Sequence, residues 1–146
     1  MTASELAYRL GAAARSPASW WQLLKFGLVG GSGYLINLGV FALLSSDLGV
    51  HHTIAAIGAF SVAVSSNFFW NRHWTFAAGD GHAGFQAARF FAVSLAALLI
   101  NLAVLEALVG ETSLGDLAAQ AIAVAVAMPF NFLGNKLWTF AETNQP

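Results

Sequence analysis

The sequence predicts an all-α integral membrane protein: four transmembrane helices built from two parallel two-helix repeats, with a pseudo-twofold axis along the membrane normal. Three observations carry the prediction. The chain is 58% hydrophobic and 9% charged, with a mean hydropathy of +0.66, whereas a soluble domain carries roughly 25% charged residues. Its apolar runs come close to the ~20 residues a helix needs to cross ~30 Å of hydrocarbon. Finally, shifting the sequence by 64 positions lays it on itself: Lys25-Phe26 falls on Arg89-Phe90, Leu35-Ile36-Asn37-Leu38 on Leu99-Ile100-Asn101-Leu102, and Asn67-Phe68 on Asn131-Phe132. Asn71-Arg72-x-Trp74-Thr75-Phe76 likewise falls on Asn135-Lys136-x-Trp138-Thr139-Phe140. No gap is needed between 25 and 77, and about one position in three is identical, the mark of an internal duplication.

Residues 1–21 read as a cytoplasmic N-terminal arm. They lack the uninterrupted apolar core of a signal peptide, because Leu6, Leu10, Ala13 and Ala14 sit among Glu5, Arg9 and Arg15. A surface-lying amphipathic helix and a frayed tail are both compatible with that pattern. The membrane domain is 22–141, with repeat one at 25–77 and repeat two at 89–141. Its expected spans are 26–46, 53–71, 90–110 and 117–135. Apart from His51 and His52, which precede the second span, only the third carries a charged residue, Glu106. Ala77 to Gly84, with Gly79-Asp80-Gly81-His82, reads as a flexible connector between the copies. Two spans per copy is an even number, so both copies enter the membrane with the same orientation.

All 6 Lys and Arg residues fit on one side. Arg9, Arg15 and Lys25 precede the first span, Arg72 and Arg89 flank the middle connection, and Lys136 follows the fourth span. The connections 47–52 and 111–116 contain no Lys or Arg. By the positive-inside rule, both termini and the 72–89 connection are expected in the cytoplasm.

The polar residues inside the apolar runs carry the functional expectations. Asn37 and Asn101 lie 12 residues beyond Lys25 and Arg89, ~18 Å along their helices and therefore near mid-bilayer. Lipid offers an amide no partner, so these two either hold the bundle together through hydrogen bonds or line a polar path. Asn67 with Asn71, and Asn131 with Asn135, are spaced to share a helix face at the cytoplasmic ends of the second and fourth spans. Arg72 and Lys136 follow at once, then Trp74 and Trp138. Amide donors, a cation and an indole at head-group depth suit a phosphate beside an acyl chain. An interfacial belt of cations and aromatics requires no fixed asparagines. Lys25 and Arg89 open the odd spans and complete a set of four cations, which also serve as orientation signals. Glu106 lies 17 residues beyond Arg89, ~26 Å along the helix and near the outer interface. It is a candidate for proton coupling, against the competing reading of a solvated outward-reaching Glu.

Gly27, Gly30, Gly31, Gly33 and Gly39 fill the first span without the Lys-Ser or Lys-Thr of a phosphate-cradling loop, so close helix approach is the expected reason for them. The rows Ala55, Ala59, Ala63 and Ala119, Ala123, Ala127 are read the same way. Pro129, matched by Ser65, is expected to kink the fourth span. The chain has 0 cysteines, which excludes disulfides and thiolate chemistry. His51 and His52 are adjacent and cannot share a helix face, and no paired carboxylates or Ser-His-Asp set lies in the spans. No catalytic residue, metal, cofactor or nucleic-acid partner is expected, and the protein is read as a non-enzyme.

With Lys25-Phe26-x-x-Val29-Gly30 opening the first span, Asn37 within it and Asn67-Phe68-x-x-Asn71-Arg72-x-Trp74-Thr75-Phe76 closing the second, the chain resembles the GtrA-like family of small four-span membrane proteins. The likeness covers about 22–141. It implies translocation of a polyprenyl-phosphate-linked sugar across the cytoplasmic membrane for cell-surface polysaccharide synthesis, beside a membrane glycosyltransferase that makes the lipid-linked sugar. The lipid phosphate would dock among Arg72, Lys136, Lys25 and Arg89, with the sugar passing Asn37 and Asn101 while the tail stays in the bilayer. Two alternatives stand beside it: a non-transporting anchor or accessory subunit of a glycosyltransferase, and a small-molecule or cation exporter. The exporter would want a carboxylate in the first span, which has none. Four spans make a thin bundle, so a homodimer is compatible with the sequence. The second copy lacks the glycines and gains Glu106, so the two halves need not be equivalent.

Overall fold

A computed structural model describes residues 1–141, and of residues 52, 116 and 117 it describes the backbone. The regular structure of the described residues is all helical, with no strand. They divide into two compact units, Met1–Thr75 and a second beginning at Phe76.

The first unit opens with α1 (Ala3–Arg15), which starts at a reciprocal capping box. Glu5 N–H donates to Thr2 Oγ1 at 3.2 Å and Thr2 N–H donates to Glu5 Oε2 at 2.7 Å. The start of the N-terminal arm is therefore an ordered helix, and none of Ala3–Arg15 is buried. The Thr2 backbone hydrogen bond holds the Glu5 carboxyl below its ordinary 4.5. A depressed carboxyl stabilises the fold above its unfolded pKa, and that contribution disappears as pH falls through the folded value. The first turn of α1 should accordingly fray on acidification through the carboxylate range, read as faster amide exchange at Glu5 while the membrane helices are unchanged.

Pro17 occupies the first turn of α2 (Pro17–Ala42), where its missing N–H and fixed φ are harmless. Trp20 Nε1 donates back to Ala14 O at 2.9 Å and ties the joint. A π-helical turn, Leu43–Asp47, ends this helix, and Gly49 takes φ 65° in the bend that follows. His51 Nδ1 accepts from Thr53 N–H at 3.3 Å and caps α3 (His52–Trp70). In the second unit, His82 caps α4 (Ala83–Glu111), Gly115 opens α5 (Asp116–Gly134), and α5 continues through Pro129.

Four segments are long and apolar enough to span a membrane: Pro17–Asp47, Thr53–Thr75, Ala83–Glu111 and Ala118–Thr139. The odd segments begin 9 and 7 residues before the expected starts at 26 and 90. Lys25 and Arg89 mark where polar sequence meets apolar sequence, but neither breaks a helix. The helix itself begins at its own signals, Pro17 and the His82 cap.

Each unit contains one two-helix hairpin packed along a narrow seam. In the first, α2 packs on α3, and the buried positions are Phe26, Val29 and Gly33 of α2 and Ala55, Ala59 and Ala63 of α3. In the second, α4 packs on α5, with Phe90, Val93 and Ala97 of α4 and Ala119, Ala123 and Ala127 of α5 buried. Ala55, Ala59, Ala119 and Ala123 are all 0% exposed, so the small-residue rows are the contact surfaces. Most remaining large apolar side chains, among them Leu28, Leu35, Ile57, Phe60 and Leu99, point outward. Water tolerates no such continuous apolar surface; lipid does.

The glycine expectation holds at one position and fails at others. A Cβ at Gly33 would meet Asn67, whereas Gly30, Gly31 and Gly39 have nothing within 4 Å. Only Gly33 lies on the face that α2 turns toward α3; the other three lie on outward faces, where close approach between these helices plays no part. The connector after the first hairpin is a hydrogen-bonded turn. Ala77 takes φ 49°, Gly81 N–H donates to Ala78 O at 3.2 Å, and the buried Gln86 Nε2 donates to the same carbonyl at 3.1 Å.

Candidate functional site

The even helices end alike. α3 passes into the π turn Asn71–Thr75, and α5 into the π turn Asn135–Thr139. Asn71 N–H is shared between the carbonyls of Asn67 and Phe68, and Asn135 N–H between those of Asn131 and Phe132. In the second hairpin Phe140 N–H reaches back five residues to Asn135 O at 2.9 Å, the long bond of a widened turn.

The four-residue spacing lines Asn67, Asn71 and Thr75 along one face of this helix end, and Asn131, Asn135 and Thr139 along the other. Asn71, Thr75, Asn135 and Thr139 are between 0% and 3% exposed. In the second hairpin the amides meet: Asn135 Nδ2 donates to both Asn131 O and Asn131 Oδ1, each at 2.9 Å. The first hairpin has no such bond. Asn67 Oδ1, Asn71 Oδ1 and Thr75 Oγ1 are buried without a hydrogen-bond partner, as are Asn135 Oδ1 and Thr139 Oγ1 in the second hairpin. Buried acceptors are nearly always satisfied, since an unmade bond costs about 1–3 kcal/mol. The five fall at matched places, three in the first hairpin and two in the second.

The cations separate into two sets. Lys25 and Arg89, on the odd helices, clasp the indoles of the π turns. Lys25 Nζ stands 5.2 Å from the Trp74 ring centre and 5.8 Å from that of Trp21. Arg89 Cζ stands 5.7 Å from the Trp138 ring, and its Nη1 donates to Trp138 O at 3.3 Å. Arg72 and Lys136 follow the buried asparagines by one residue, about 100° around the helix, and lie on the flank of the polar face. Arg72 Nη1 is 3.2 Å from His73 Nε2, and Lys136 Nζ is 5.7 Å from the Phe132 ring centre. Trp74 and Trp138 remain about half exposed, at 42% and 50%, as suits indoles at a water–lipid boundary.

Asn37 and Asn101 are half-buried, one helical turn beyond Gly33 and Ala97 on the same helix faces. The antiparallel register set by Lys25 beside Trp74 and Gly33 beside Asn67 puts Asn37 a turn deeper than Asn67. Polar groups thus descend each hairpin from the indole toward its middle. Glu106 stands apart, exposed on α4.

Two features were not singled out from the sequence. Thr75 and Thr139 belong to the polar faces of their hairpins, and Gln86 is a buried clamp on the 78–81 turn. The 64-residue shift also pairs Gln22 with Gln86, just outside the matched stretch, and that is the signal by which Gln86 is found.

Residues 25–140 match the profile of the GtrA/DPMS transmembrane domain. The chain belongs to this family. The GtrA/DPMS chain is 30% identical over 119 residues to the uncharacterized membrane protein YngA of Bacillus subtilis (strain 168), which covers 82% of the chain and 79% of YngA. It is also 46% identical over 55 residues to a dolichol-phosphate mannosyltransferase of Pyrococcus furiosus. That second likeness covers 38% of the chain and only 15% of the mannosyltransferase. The GtrA/DPMS chain is a multi-pass membrane protein.

Proposed function

We propose that this protein translocates a polyprenyl-phosphate-linked sugar across the cytoplasmic membrane, acting as a non-enzymatic partner of a membrane glycosyltransferase in cell-surface polysaccharide synthesis. The observation that carries the reading is the buried, unpartnered acceptors that recur in each hairpin, Asn71 with Thr75 in the first and Asn135 with Thr139 in the second, each flanked by cations and a boundary indole. A mere anchor in the bilayer gains nothing from such groups, which are costly to bury. The likeness of one segment to part of a protein named for dolichol phosphate, a polyprenyl phosphate, favours this lipid class.

In the mechanism, the halves are parallel repeats with both termini cytoplasmic, so the π-turn ends lie at the inner leaflet. Arg72 in the first hairpin and Lys136 in the second, each on the flank of its own polar face, are the cations for a lipid phosphate. Lys25 and Arg89 hold the indoles in place and add positive potential. Sugar hydroxyls are donors, and they match the acceptor oxygens of each hairpin and of Asn37 and Asn101. The prenyl tail stays in lipid, where the outward apolar faces already point. With no nucleotide-binding loop in the sequence, translocation runs down a gradient or is coupled to an ion.

The test is reconstitution in liposomes with a fluorescent polyprenyl-phosphate sugar. Arg72→Ala with Lys136→Ala should reduce delivery to the opposite leaflet by about tenfold or more, since two charge-assisted contacts at about 1.5–3 kcal/mol each are lost. Equal delivery by this variant and the parent, at equal protein level, rejects the site. An accessory subunit that only recruits a glycosyltransferase predicts no delivery by the parent protein and full tolerance of Asn37→Leu and Asn101→Leu.

A further inference from the structure

We propose that α1 lies in the plane of the membrane, with its apolar stripe seated in the leaflet that surrounds the N-terminal end of α2. The partner is the lipid surface itself, and the inference stands apart from sugar-lipid translocation. Its first support is the pattern of the helix. Ala3, Leu6, Ala7, Leu10, Ala13 and Ala14 fall at the three- and four-residue spacing of one face, and Ser4, Glu5, Tyr8, Arg9 and Arg15 lie on the other side. No residue of α1 is buried; Leu6 is 37% exposed, and Leu10 and Ala13 are half-buried. The chain itself therefore leaves the stripe largely uncovered.

The second support is the depth at which the helix is held. The first membrane segment begins at Pro17, and only Ser16, in an extended conformation, separates it from α1. That one residue ends α1 and lets α2 start on a new axis. Across the joint, Trp20 Nε1 donates to Ala14 O at 2.9 Å. Trp20 and Trp21 are 60% and 57% exposed, as suits indoles at the water–lipid boundary. An indole bonded to the last turn of α1 sets that turn at the same depth. Two leucines among alanines make a weak stripe for capture from free solution, but a one-residue tether to a membrane span supplies the local concentration that the stripe lacks. Arg9 and Arg15, on the polar side, are left for head-group phosphates and water. A seated α1 fixes the height of α2, and with it the height of Lys25 against Trp74.

The chain has 0 cysteines, so a single nitroxide label can be placed through Ala7→Cys or Ala12→Cys in the full chain. Each variant is reconstituted in vesicles of phosphatidylcholine and phosphatidylglycerol, and collisions of the label with oxygen, which concentrates in lipid, and with a water-soluble nickel chelate are measured. Both alanines are exposed on the protein, one in the stripe and one opposite it, so burial by the chain does not separate them. The label at position 7 should meet oxygen more often, and nickel several-fold less often, than the label at position 12. Adding Leu6→Gln and Leu10→Gln should give position 7 the accessibility of position 12. Equal accessibility at the two positions, as for a frayed arm or a helix standing in water, overturns the proposal. A label at position 7 shielded from both reagents overturns it too, because a protein partner or a second copy then covers the stripe. Lipid exposure that survives both glutamines does the same. No translocation is measured, so failure here is separable from failure of the flippase reading.

Discussion

Asn71→Leu is expected to raise the thermal midpoint while lowering sugar-lipid translocation, and Asn135→Leu is expected to lower both. The two asparagines are matched in sequence and nearly equal in burial, at 2% and 0% exposed, yet their amides do different things. Asn71 keeps a buried carbonyl oxygen without a donor. Replacing it by an apolar side chain of the same branching removes about 1–3 kcal/mol of unmet desolvation. The extra volume of Leu takes back part of that, leaving a gain of about 1 kcal/mol. Asn135 donates to Asn131 O and to Asn131 Oδ1. Its replacement relieves its own unpartnered Oδ1 but breaks both bonds and orphans the Asn131 oxygen, a net loss of about 1 kcal/mol. Stabilisation purchased by erasing a polar group is the signature of a functional residue. If Asn71→Leu destabilises as much as Asn135→Leu, the first-hairpin amide is structural and the acceptor lining loses its main support.

Ala59→Leu and Ala123→Leu should each disrupt their own hairpin. Both alanines are 0% exposed, on the faces that α3 and α5 turn to α2 and α4. Membrane helices gain little from hydrophobic exclusion, since lipid is as apolar as leucine, so they cohere through close packing of small residues. Three added carbons force the helices apart, at about 1–3 kcal/mol for the strain, with further loss of dispersion along the seam. Each variant should show a thermal midpoint well below that of the parent and a smaller monodisperse fraction on size exclusion. Gly31→Leu, on the open side of α2, is the matched control. A parent-like midpoint for Ala59→Leu would show that the seam is not what holds α2 to α3.

The four helices, the pairing of neighbours and the alanine rows were legible because hydropathy and a repeated spacing report burial without any knowledge of register. The asparagines were legible for the same reason: a polar residue that recurs in an apolar run has few explanations. The individual role of Gly33 was not. Five glycines in the first span look alike in sequence, and only the antiparallel register decides which of them faces Asn67. The division of the four cations was also hidden. Head-group depth grouped Lys25, Arg72, Arg89 and Lys136, but azimuth separates them, and azimuth at the end of α3 depends on a π turn that a 3.6-residue period does not foresee. The connector after the first hairpin misled because Gly-Asp-Gly signals a bend without revealing that Gln86 reaches across to hold it.

Every long helix here packs on the one beside it in sequence, α2 on α3 and α4 on α5. Such local partnership bears on biogenesis. Once the ribosome has delivered the stretch ending at Thr75, the first pair already possesses its alanine seam, its indole clasp and its cap residues, and needs nothing downstream to settle. The nascent chain can therefore leave the insertion machinery in two instalments, with little apolar backbone waiting unpaired between them.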